Sequence, residues 1–124
     1  WKRYFGPTRQ CERDRDLFKA AMPVIRNLNR AGWEPVTGLR SSHPDVWVER
    51  FGAAGRGAVY VTVRNASARP ATATLAPDAA EGLPAPLRLV PVWNGAGCPS
   101  GAGTALVVSL RPWETAVFRV DAAP

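Results

Sequence analysis

Residues 46–75 hold three stretches in which apolar and polar residues alternate: VWVERFG, GAVYVTVRN and ATATL. A strand sends successive side chains to opposite faces, whereas a helix needs its apolar residues three or four apart. At period two, Val59, Val61 and Val63 point one way and Tyr60, Thr62 and Arg64 the other. The pattern predicts an antiparallel ribbon of three strands, with one face on a core and one towards water. Gly52, Gly55 and Gly57 punctuate the first connection. The second runs from Asn65, which tolerates left-handed backbone, to Pro70, which cannot sit in a central strand.

The following residues continue in the same way, and their strands are expected to extend the ribbon. A loop is expected over 76–85, then a strand from Pro86 to Asn94 with Leu87 and Leu89 on one face. Gly95 to Gly103 is a glycine-rich loop. Thr104 to Leu110 reads as a strand with Leu106, Val108 and Leu110 together; Arg111-Pro112-Trp113 turns the chain, and Glu114 to Val120 closes it with Ala116, Phe118 and Val120 inward. Six or seven short strands, with turn signals about every 8–12 residues, predict a mainly β fold: an antiparallel Greek-key β-sandwich preceded by one bent α-helix.

That helix is expected from Glu12 to Ala31. Leu17, Phe18, Ala21, Ile25 and Leu28 recur at helical spacing, acidic residues lie in the early turns, and Arg26 and Arg30 lie in the last. Pro23 should bend it, and Gly32 should cap it, with Trp33 placed to reach back to Leu28. Trp33 and Trp47 are expected at the seam between helix and strands. A closed sandwich leaves little surface for the helix, so its apolar stripe predicts a second, absent partner. Two units follow: a helical segment over 1–32 and a β-sandwich over 33–124.

Length and charge narrow the remaining options. The 124 residues suit one domain that buries roughly two-thirds of its extended-chain surface. Of the net charge of +6, residues 1–56 supply +5 (11 Lys/Arg against 6 Asp/Glu) and residues 57–124 supply +1 (5 against 4). The excess therefore belongs to the helical part. No nucleic-acid motif accompanies it, and a solvated basic face is the reading adopted. No apolar run is long enough to span a membrane. A chain opening on Trp1-Lys2-Arg3-Tyr4-Phe5 reads as a piece of something longer, without a targeting segment; cytoplasmic and secreted locations both stay open. Cys11 and Cys98 are read as independent thiols rather than a disulfide framework.

The order of elements resembles the end of a glycoside hydrolase built on a (β/α)8 barrel. A bent helix, the Ala31-Gly32-Trp33 cap, VWVERFG, YVTVRN and the closing Leu110-Arg111-Pro112-Trp113-Glu114-Thr115-Ala116-Val117 appear in sequence. The resemblance is to the last barrel helix followed by the C-terminal sandwich of α-amylase-like and α-galactosidase-like enzymes, and it covers nearly the whole chain. It implies that the catalytic carboxylates belong to strand ends of an absent barrel, that this barrel is the partner, and that the chain itself is a non-catalytic accessory domain.

The residues themselves offer no competing chemistry. Asp14 and Asp16 diverge on a helix. Ser42, His43 and Asp45 lie in one loop, whereas a triad draws on separated segments. No metal, nucleotide or cofactor motif is present. Trp93 and Trp113 flank loops, where an exposed indole could stack on a sugar ring; they are the candidate carbohydrate-binding residues of an alternative reading as a binding module. An immunoglobulin-like protein-interaction domain is the other alternative. Asn65-Ala66-Ser67 matches a glycosylation sequon but reads as an ordinary turn.

Overall fold

A computed structural model describes the backbone of residues 9–94 and 102–124, with side chains except at positions 9–11, 79 and 102. The aromatic lead-in, most of the glycine-rich loop and the two cysteine thiols lie outside the described residues. Helix α1 runs unbroken over Arg9–Ala31, through Pro23. Pro23 and Lys19 are both exposed, so the turn in which proline removes the donor to the Lys19 carbonyl lies on the open side of the helix. Gly32 ends the helix with φ +85° and donates to the Leu28 carbonyl at 3.0 Å, the simple left-handed cap.

The strands are β1 (Trp33–Glu34), β2 (Leu39–Ser41), β3 (Val46–Phe51), β4 (Val59–Asn65), β5 (Ala71–Pro77), β6 (Leu87–Trp93), β7 (Ala102–Gly103), β8 (Leu106–Leu110) and β9 (Thr115–Ala122). They form two antiparallel sheets, one in the order β1-β3-β4-β9-β6-β7 and one in the order β2-β5-β8. The fold is mainly β, with one helix. The expected inward sets are all buried: Val59, Val61 and Val63; Leu87 and Leu89; Leu106, Val108 and Leu110; Ala116, Phe118 and Val120. Both sheets contribute to a single core cluster around Phe118, Leu75, Leu87 and Val61.

The ribbon differs from the expected one at its third strand. β3 and β4 pair as predicted, but β5 leaves them and pairs with β2 and β8 in the smaller sheet. The Asn65–Pro70 connection is what redirects it. Asn65 is fully buried, and its Nδ2 donates to the carbonyls of Arg69 at 2.6 Å and Arg111 at 3.1 Å. Its Oδ1 accepts from the Ser67 N–H at 3.1 Å and the Ser67 hydroxyl at 2.8 Å. This side chain holds the chain at the point where it crosses between sheets.

Arg50 closes the opposite end. It points inward from β3, and its Nε and Nη1 donate to the carbonyls of Gly52 at 3.0 Å and Glu81 at 2.9 Å. A buried cation held by carbonyls keeps its donors satisfied without a carboxylate.

Candidate docking surface

The outer face of the larger sheet is ordered by register. Trp47, Arg64 and Thr115 lie in one row across β3, β4 and β9, and Glu49, Thr62, Val117 and Trp93 in the next across β3, β4, β9 and β6. Trp93 belongs to this face because of an irregularity in β6. Pro91 opposes Phe118 and Trp93 opposes Val117, so one extra residue intervenes. Strict alternation would have set Trp93 with Pro91 on the inner face; the bulge turns it outward. Pro91, which has no N–H for the ladder, marks the place.

Helix α1 lies against β3, β4 and β6 on this face. Its C-terminal end is pinned, since the Gly52 N–H donates to the Gly32 carbonyl at 2.7 Å. Ala21, Val24, Leu28 and Ala31 are half-buried, while Leu17 (55%), Phe18 (60%), Met22 (38%) and Ile25 (44%) remain exposed. Val117, facing the helix rather than the core, is only 5% exposed. Between helix and sheet runs an open groove of about 360 Å³, lined by Leu17, Phe18, Ala21, Val24, Ile25 and Leu28 on one side and Thr62, Trp93, Thr115 and Val117 on the other. A second depression, lined by Trp47, Glu49 and Arg64, shares Thr62 and Thr115 with it. The two form one continuous surface.

The structure therefore brings Leu17, Phe18, Ala21, Ile25 and Leu28 together with Trp93, and places Trp47 beside them, 60% exposed. The Trp47 indole N–H donates to the Pro44 carbonyl at 3.2 Å. Trp33 is also 60% exposed and lies on β1, paired through its backbone with Phe51 beyond the end of the helix. Sequence reasoning did not single out Val24, Met22, Thr62 or Val117 for this surface. Met22 was findable at four residues from Phe18, and Val117 as the outward neighbour of two inward residues.

Trp113 lies elsewhere, at the turn before β9. The Glu114 N–H donates to the Arg111 carbonyl at 3.2 Å, with Pro112 and Trp113 between, and Trp113 has φ +60° and is 58% exposed. Its N–H donates to the Ser67 carbonyl at 3.1 Å. The Glu114 carboxylate turns back to accept the Arg111 N–H at 2.7 Å.

The polar groups weighed as catalytic candidates are otherwise engaged. The Ser42 hydroxyl accepts the Thr74 N–H at 2.8 Å, and His43 Nδ1 accepts the Asp45 N–H at 3.1 Å, so no Ser-His-Asp relay is assembled. Two hydrogen bonds from Arg13 hold the Asp14 carboxyl below its ordinary pKa. Among the described residues no three His, Cys, Asp or Glu side chains gather around a possible cation, and no helix is long and apolar enough to cross a membrane. Comparison with known proteins brought no match to a family model, a curated protein or a solved structure.

Proposed function

We propose that this chain is a non-catalytic accessory domain of a glycoside hydrolase, an antiparallel Greek-key β-sandwich whose helix and outer sheet face brace the catalytic barrel of the same longer protein. The observation that carries the docking part is the groove beside α1. Leu17, Phe18 and Ile25 stand exposed along it, and each is worth roughly 1.5–3 kcal/mol when fully buried. A contiguous apolar patch of this kind marks an interaction site. The sandwich reading is supported by a chain that crosses repeatedly between two sheets sharing one core. The sugar-hydrolase reading rests on the order of elements and the closing Leu110–Val117 motif.

The test compares the longer protein with the 124-residue chain on aryl glycosides and polysaccharides. Turnover by the longer protein alone is expected. Turnover by the short chain, abolished by one carboxylate substitution within it, would overturn the reading.

Trp113 favours a second reading, a carbohydrate-binding module. Its indole is exposed in a backbone conformation that costs a non-glycine residue roughly 1–3 kcal/mol. Trp93 faces the helix groove, so of the two candidates Trp113 is the one open to a stacking sugar. Saturable quenching of tryptophan fluorescence by soluble glycans, lost in Trp113→Ala, would establish it; no response to glycans would remove it.

A further inference from the structure

The groove beside α1 meets, at Phe18, another depression lined by Glu12, Arg15, Lys19, Met22 and Arg26, and these charges constrain what can cover the helix. Phe18, Met22 and Ile25 follow one another at helical spacing along the exposed side. Lys19 and Arg26 run beside them at the same pitch, and neither makes an ion pair among the described residues. Arg15 belongs to the same row, but its guanidinium holds Glu12 at 2.7 Å. In the depression beside Trp47, Arg64 stands exposed with Glu49 next to it.

A second copy centred on Met22 is a poor occupant. A two-fold contact centred on Met22 sets Lys19 of one copy against Arg26 of the other, and like charges brought together without water repel. A surface with carboxylates at matching positions instead turns the same row into an attraction and fixes the orientation of the contact.

We infer, building on the accessory-domain reading above, that the surface of the catalytic domain covering α1 is apolar at its centre and carries carboxylates where it meets Lys19 and Arg26. Phe18 and Ile25 fill the apolar part. The cations set the register and disfavour the two-fold contact centred on Met22.

The test is amide exchange of residues 12–31 in the longer protein and in the 124-residue chain. Lys19→Glu combined with Arg26→Glu should speed exchange of these amides about tenfold or more in the longer protein, and high salt should act in the same direction. The same double variant should leave the 124-residue chain within about twofold of its parent, because both side chains stand on the solvent side of the helix. Arg69→Glu, a remote exposed cation, should change neither. Release of the helix by Phe18→Ser but not by the double reversal would overturn the acidic border while leaving docking intact. If neither variant alters exchange in the longer protein, the docking reading itself falls. A dimer of the 124-residue chain in sedimentation, dispersed by Phe18→Ser, would also overturn the inference, by making a second copy the occupant.

Discussion

The Asn65 side-chain amide donates to the Arg111 carbonyl, 3.1 Å away across 46 positions of sequence. The bond ties the end of β4 to the turn between β8 and β9, and so ties one sheet to the other. The same amide holds the Arg69 carbonyl, and the Asn65 N–H donates to the Glu114 carbonyl at 2.9 Å. The first residue of a glycosylation sequon is here a buried structural hub.

Replacing Asn65 by Ala takes one donor each from the Arg69 and Arg111 carbonyls and leaves the Ser67 N–H and hydroxyl without their acceptor, at a part-buried site. An unmet buried polar group costs about 1–3 kcal/mol. Asn65→Ala should therefore lower unfolding free energy by roughly 2–4 kcal/mol, read from the denaturant midpoint at unchanged slope. Asn65→Asp should be no milder, since a carboxylate offers no donor to either carbonyl.

Gly52 carries the junction between helix and sheet. It has φ +96°, and a Cβ there would lie 2.5 Å from the Ala58 carbonyl oxygen, a backbone atom with little room to move. Gly52→Ala should cost roughly 2–4 kcal/mol by thermal or chemical denaturation. Gly55→Ala, with φ +80° but open space around it, should cost only the conformational part, about 1 kcal/mol.

Trp113 separates strain from packing. Its backbone is fixed by the Ser67 carbonyl and by the Arg111–Glu114 turn, in a conformation that glycine adopts freely. Because the indole is mostly exposed, Trp113→Gly should leave stability unchanged or raise it by up to about 1 kcal/mol. A loss above about 2 kcal/mol would mean that the ring contributes to the fold and is not simply presented to solvent.

Asp121 gives the chain a small acid-sensitive term. Arg119 donates to both its oxygens at 2.9 Å and holds its pKa below the ordinary carboxylate range. A folded-state pKa below the unfolded one contributes stability that is present above about pH 4 and is lost as pH falls through the depressed value. The pair lies at the surface, so the contribution is under about 1 kcal/mol. Asp121→Asn should flatten that part of the acid limb, and an unchanged acid limb would contradict the assignment.

The core was legible in the sequence because burial follows alternation. Val61, Val63 and Phe118 could be placed inward from period two alone. Alternation does not say which sheet a strand joins, so β5 was placed in the wrong one; its partners are set by the Asn65 hub and the register with β8. The face that Trp93 takes was not legible for a related reason. A single bulge inverts a strand's faces, and only Pro91 announces it. The stripe on α1 was plain from its spacing, but the part of it resting on the sheet depends on Gly32 meeting Gly52, a contact between segments that share no local pattern.

Amide exchange of the 124-residue chain tests the central claim most directly, because it asks whether α1 has all the contacts it needs. Helix α1 leaves Leu17, Phe18 and Ile25 exposed and carries a proline within it, so its stability depends on a covering surface. Residues 12–31 should exchange far faster than residues 59–64 and 115–120, which lie in the central strands of the larger sheet. Equal, strong protection of helix and strands in a demonstrated monomer would contradict the account. It would make α1 a self-sufficient part of this fold, with no catalytic domain needed to cover it.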